Sequence, residues 1–182
     1  MRSASTILRS QVRQYLKQFE ELIDWMAHRL EELWKWQFDS SGKLGSSLGL
    51  GSEWKPLSSF TIYYTWMTRF GRNTPLVDTG ELRDSLRVDK VDELQYKVSF
   101  SPPSNGVLVQ MMELGYSASV TPKMRRWFAV QGINLKHSTK KIVVPARPIL
   151  GPILEIINRE AIAKSMEIFG ENKGVWIQVR WH

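Results

Sequence analysis

The sequence predicts an α+β domain: a long N-terminal helix and a C-terminal helix packed on a small antiparallel β-sheet, with short helices and a flexible Gly/Ser loop. Three observations carry that prediction. An apolar stripe at three- and four-residue spacing runs unbroken through residues 5–36. A second stripe of the same period runs through 152–169. Between them, 86–100 and 141–144 alternate as short strands do. The 182 residues make one domain, 1–182. A chain of this length buries roughly 70% of the surface it exposes when unfolded, so a core forms without covalent staples.

The first stripe comprises Leu8, Val12, Tyr15, Leu16, Phe19, Leu22, Ile23, Met26, Leu30 and Leu33, with Ser3 or Ser5 as a cap and no glycine or proline inside. Thirty residues of helix span about 45 Å, more than a small domain needs. Part of the stripe is therefore expected to pack on another subunit, with Trp25, Trp34 and Trp36 extending the contact. The competing reading is that most of it is simply core.

Residues 40–52 hold nine Gly or Ser in thirteen positions, the composition of a flexible loop. No Gly-Lys-Ser/Thr closes it, so it is not a phosphate loop. After Trp54-Lys55-Pro56-Leu57, a helix is expected over 58–70, ended by Gly71. Residues 86–100 read as a hairpin turning at Asp92-Glu93, with Leu94, Tyr96, Val98 and Phe100 or their alternates facing inward. A short helix over 107–115 ends at Gly115. Another covers 122–131, with Thr121 as its cap and Pro122 in its first position. Lys141–Val144 is a strand, Gly170 stops the last helix, and Val175–Trp181 reads as a final strand.

Composition excludes several chemistries. The chain has no cysteine, which removes disulfides, thiolate metal sites and a cysteine nucleophile. Its three histidines, His28, His137 and His182, are far apart, and no metal or cofactor is expected. The most apolar run, 142–157, contains Arg147, Glu155 and three prolines, so it is no membrane span. Residues 1–14 lack a signal-peptide core, so the protein is expected to be made in the cytosol or assembled into something there.

The net charge of +7 is localised. Window 121–150 carries Lys123, Arg125, Arg126, Lys136, Lys140, Lys141 and Arg147 and no acid. Such a patch attracts phosphate or an acidic protein surface in a salt-dependent way, unless it is only a solvated loop.

Val77-Asp78-Thr79-Gly80, with Ile149-Leu150-Gly151 downstream, matches the motif of a retroviral-type aspartic protease, in which two carboxylates share a proton. The residues after Gly80 lack the β pattern such an enzyme needs. Asp78-x-x-Glu81 instead has the spacing of a capping box. No Gly-x-Ser-x-Gly elbow exists, and Glu20-Glu21 and Glu31-Glu32 are adjacent pairs that diverge on a helix. No catalytic residue is assigned, and the chain is not expected to be an enzyme.

Pro145-Ala146-Arg147-Pro148 follows a strand directly. The flanking prolines fix the segment near extended geometry, so Arg147 is held ready for a carboxylate: Asp78, Glu113 or an acid of a neighbouring subunit. An ion pair within one subunit is the plainer alternative.

Taken in order, the landmarks are Trp54-Lys55-Pro56-Leu57, Pro75-Leu76-Val77-Asp78-Thr79-Gly80-Glu81-Leu82-Arg83-Asp84-Ser85, a short hairpin, Val109-Gln110-Met111-Met112-Glu113-Leu114-Gly115, Val120-Thr121-Pro122-Lys123-Met124-Arg125, and Val144-Pro145-Ala146-Arg147-Pro148-Ile149-Leu150-Gly151 before a final helix. This set resembles the virion morphogenesis (tail-completion) proteins of Mu-like and related tailed phages. The resemblance covers roughly 54–165, within a family core placed at 54–169. The helix 1–36, the loop 40–52 and the extension 170–182 depart from the motif core. The resemblance implies a structural role in tail completion and head–tail joining, as a neck or tail-terminator ring of six identical subunits located in the virion. Its implied partners are head connector, neck and tail tube proteins. Arg147, Pro145, Pro148, Trp25, Trp34, Trp36 and Trp54 are then candidate assembly contacts. Lys123, Arg125, Arg126, Lys136, Lys140 and Lys141 would meet DNA in the channel or an acidic partner, and a free-standing DNA-binding protein is the alternative function.

Overall fold

A computed structural model of the chain describes residues 4–47, 49, 54–56, 76 and 79–170. Helix α1 runs Ala4–Asp39, 36 residues, or about 54 Å at 1.5 Å per residue. It extends further in both directions than the apolar stripe requires, because nothing in the sequence stops it before Ser40. Its buried face is Leu22, Leu30, Leu33, Trp34 and Phe38. Ser41 and Gly42 both take positive φ, and the Gly42 N–H donates to the Gln37 carbonyl, which closes the helix end. A Cβ on Gly42 would collide with the Trp54 indole, so the position demands glycine twice over.

Part of the predicted flexible loop is helical. Helix α2, Lys43–Ser47, lies inside it, because Leu44 buries itself in the core at 2% exposure. The predicted helix 58–70 and strand 175–181 lie outside the described residues.

A one-turn 3-10 helix, Arg83–Ser85, leads into β1 (Leu86–Asp92), which pairs antiparallel with β2 (Gln95–Phe100). Helix α3 (Ser104–Leu114) begins three residues before its predicted start and ends at Gly115 as predicted. Strand β3 (Tyr116–Ser119), helix α4 (Pro122–Val130) and strand β4 (Lys141–Val144) follow. Thr121 caps α4 as predicted, its Oγ1 accepting the Met124 N–H at 3.2 Å. Helix α5 runs Leu150–Phe169 and stops at Gly170.

The architecture is α+β, with α1 and α5 packed together, and among the described residues the strands form two separate two-stranded antiparallel ribbons rather than one sheet. Strand β3 gives no alternating apolar signal, since Tyr-Ser-Ala-Ser is mostly small and polar. It exists because β4 needs a partner, from Tyr116↔Val144 to Ser119↔Lys141.

The long helices are antiparallel. Arg29 grips Glu160 through two hydrogen bonds of 2.7 and 2.9 Å, and the Gln18 side chain donates to the Ile168 carbonyl at 2.7 Å. On α5 the facing residues are Ile153, Ile157, Ala161, Ser165 and Phe169, spaced by four. Phe19 meets Phe169 with ring centroids 4.8 Å apart, and α5 ends there. Every residue of α1 from Leu8 to Lys17 is exposed, so this third of the helix forms an arm.

The β1–β2 ribbon lies along α1. Phe100 stacks near Trp34 at 5.5 Å and Leu86 is buried. Further out, Lys90 donates to Glu20 and Asp24, and the Tyr96 hydroxyl donates to Asp24 at 2.8 Å. Of the four residues predicted to face inward, Tyr96 and Phe100 are half-buried, while Leu94, at the turn, and Val98, opposite Val88, are exposed.

Candidate functional site

The segment that most resembles a site, Pro145–Gly151, is a structural junction. It leaves β4, crosses the end of α3 and starts α5. Four observations fix it. The Arg147 N–H donates to the Met112 carbonyl at 2.7 Å. Gly115 (φ +68) lies so close that a Cβ would sit 2.6 Å from the Ala146 nitrogen. The Pro148 carbonyl accepts from the Gln37 amide and the Trp54 indole, each at 2.8 Å. The Glu113 carboxylate accepts the N–H groups of Ile149, Leu150 and Gly151 at 2.6, 3.0 and 3.0 Å.

The last of these explains two motifs at once. Ile149 stands at the N-cap of α5 and has no side-chain oxygen to offer. Glu113, from the end of α3, supplies it instead, and its negative charge meets the positive end of the α5 dipole. Gly151 keeps the approach open, since a Cβ there would lie 3.1 Å from Glu113 Oε1. The Glu-x-Gly and Pro-x-Leu-Gly elements are thus the two halves of one cap.

This arrangement revises the expectation for Arg147. Glu113 is engaged with the helix and does not pair with it. Asp78 lies outside the described residues. The Arg147 side chain is 7% exposed, and Nη2 donates to the Lys55 carbonyl at 3.2 Å. Its Nε finds no acceptor, and no carboxylate pairs with it among the described residues. Burial pushes the guanidinium below the usual arginine range.

The other predicted contacts divide. Trp34 and Trp54 belong to this chain's own core, at 1% and 5% exposure, and are not open to a partner. Trp34 donates to the Arg83 carbonyl, and an aromatic chain links Trp34, Phe38 and Trp54. Trp25 is half-buried, and Trp36 is exposed. Pro145 is half-buried and Pro148 exposed. Lys123, Arg126, Lys136, Lys140 and Lys141 are exposed. Arg125 is not free: its guanidinium donates to the carbonyls of Leu135, Lys136, His137 and Thr139 and so holds the α4–β4 loop in shape.

Thr79 Oγ1 accepts the Glu81 N–H at 3.3 Å, a local turn, and Gly80 precedes the 3-10 helix rather than a strand. Among the described residues no group of three or more His, Asp or Glu could hold a metal, and no helix is long and apolar enough to cross a membrane. The groove between α1 and β1, about 440 Å³, is lined by both signs of charge, including Glu31, Lys35, Arg83, Asp84 and Asp89. Arg83 already bridges Asp39 and Asp84 there, at 3.1 and 2.9 Å.

Sequence reasoning missed Gln37, a fully buried polar side chain on α1. Its signal was present: it falls four residues after Leu33 and three after Trp34, on the buried side of the helix, where an amide needs a partner. Comparison with known proteins gives no match: no family model, no curated protein and no solved structure is significantly similar to the chain.

Proposed function

We propose that this chain is a structural virion protein of a tailed bacteriophage, acting in tail completion and head–tail joining as a ring of identical subunits. Assembly takes place in the host cytoplasm, and the protein stays in the neck or tail. The observation that carries this reading is the arm of α1. Leu8, Val12 and Leu16 are 63%, 49% and 48% exposed on a helix that outruns its intramolecular partner. A stripe of this kind costs water contact unless another surface covers it. Arg9, Arg13 and Lys17 flank it, and no acid occurs before Glu20, so the surface that covers it carries negative charge.

The motif residues support the same reading from the other side. Glu113, Gly115, Trp54 and the Pro145–Gly151 turn are all engaged in building a rigid frame. A frame that presents uncovered apolar and basic surfaces suits assembly better than turnover of a small substrate. Electron microscopy of the purified protein and of the intact particle tests this directly. Rings in solution, and density for the chain at the head–tail junction, are expected. A strictly monomeric protein that is absent from particles overturns the reading, as do fully joined infectious particles formed without the gene.

A further inference from the structure

Of the seven cations in 121–150, two have internal roles: Arg147 is buried, and Arg125 holds loop carbonyls. The remaining five, Lys123, Arg126, Lys136, Lys140 and Lys141, are exposed on the β3–α4–β4 protrusion. None has a carboxylate partner among the described residues, whereas Arg29, Arg83, Lys90, Arg159 and Lys164 all do. On α4, Lys123, Arg126, Trp127 and Val130 fall at i, i+3, i+4 and i+7, one outward stripe, while Met124 and Phe128 are half-buried behind it. On the ribbon, Ser117 and Ser119 stand opposite Val143 and Lys141, and all four are exposed.

We infer that the β3–α4–β4 protrusion binds the sugar-phosphate backbone of duplex DNA, without base specificity, through these five cations. The choice of a polyphosphate over an acidic protein rests on the absence of any carboxylate from thirty consecutive residues. Interfaces between proteins gain register by placing both signs of charge. A phosphate lattice presents one sign only, and any acid facing it is repelled. Lysines and serine hydroxyls are also the groups that meet phosphate oxygens. Arg125 contributes indirectly, by fixing the loop that presents Lys136. The inference goes beyond the assembly reading and does not require it, because binding is a property of the single chain.

The test is fluorescence anisotropy of a labelled duplex of about 30 base pairs with the full-length protein, titrated at several salt concentrations. Five phosphate contacts give a slope of about −4.5 in log affinity against log salt, so affinity falls roughly 500-fold from about 50 to about 200 mM NaCl. Replacing Lys123→Glu with Arg126→Glu is expected to lower affinity at least ~10-fold and to flatten the slope by about 2. Lys35→Glu with Lys97→Glu, two exposed lysines outside both the protrusion and the arm, changes the net charge equally but leaves both unchanged. The pair Lys140→Gln and Lys141→Gln gives the same loss with milder chemistry, should the first pair disturb folding. Absence of binding at low salt, equal losses from the Lys35/Lys97 and α4 pairs, or tighter binding of labelled polyglutamate than of the duplex would each overturn the proposal. The last outcome would assign the surface to an acidic protein. Ring formation is scored separately by microscopy, so failure here and failure of the assembly reading remain distinct.

Discussion

At the residue scale, Glu113 and Arg147 are neighbours in space with opposite situations. Glu113 satisfies three backbone donors that nothing else reaches. Glu113→Ala is expected to destabilise the fold by about 1–2 kcal/mol, the cost of losing a helix cap. Glu113→Gln, which keeps one acceptor oxygen, loses less; thermal unfolding of the two variants in parallel measures the difference. Arg147 is a buried charge lacking a carboxylate among the described residues. Exchanging such a group for an apolar side chain of similar volume is often neutral or stabilising. Arg147→Met is therefore expected to leave the melting temperature of the isolated chain unchanged or raised, as scanning calorimetry would show. A fall of several degrees would mean that the cation has a partner within the chain. The two residues were not equally legible. The Pro145–Pro148 bracket announces a stiff turn, but the acceptor that the arginine meets is set by a backbone carbonyl ninety-two residues away in sequence. For Glu113, the clue is that Ile149, at the start of α5, has no capping side chain of its own.

At the element scale, the β1–β2 ribbon is attached to α1 by one polar clamp. Asp24 accepts from Lys90 and Tyr96, and these hydrogen bonds, Lys90's first, hold its carboxyl below the ordinary value of 3.8. A carboxylate with a lowered folded-state pKa contributes stability above its unfolded value, and that stability is lost as pH falls through the folded value. The ribbon is thus expected to loosen below about pH 4 while the α1–α5 pair persists. The Lys90 ammonium, raised by Glu20 and Asp24, stays charged on the alkaline side until pH exceeds its ordinary range. Amide hydrogen exchange at stepwise lower pH should show protection lost first in 90–96, and Asp24→Asn should bring that loss to neutral pH. The elements themselves were mostly readable. Unbroken periodicity marks α1 and α5, glycines mark the ends at 115 and 170, and Thr121-Pro122 marks the start of α4. Strand β3 was not readable, because its reason to exist is the free edge of β4. Helix α2 was hidden by Gly/Ser composition, and only the burial of Leu44 reveals it.

At the scale of the whole molecule, the described residues separate a well-filled frame from two surfaces it leaves open. The arm, Leu8 to Lys17, is exposed along its whole length and adds no buried residue to the core. Deleting residues 1–17 is expected to shift the unfolding midpoint by less than about 1 kcal/mol equivalent, in line with substitutions at exposed sites. The same deletion should abolish higher-order assemblies in analytical ultracentrifugation. Rings that survive it would remove the arm from the contact between subunits. The sequence made the excess length of α1 visible at once, because thirty periodic residues exceed what one small core covers. It did not make visible where the excess falls. That depends on α5 stopping at Phe169 against Phe19, and so on the register of the helix pair.

The borrowed cap has a further implication for how the chain holds this state. Helix α4 carries its own cap in Thr121. Helix α5 does not, because the carboxylate that completes its opening turn arrives on a different segment, thirty-six residues upstream of Ile149. Its first turn therefore gains its cap only when the close of α3 is in place, which couples the stability of two distant stretches. Coupling of that kind makes the junction between α3 and α5 open and close as one unit rather than helix by helix.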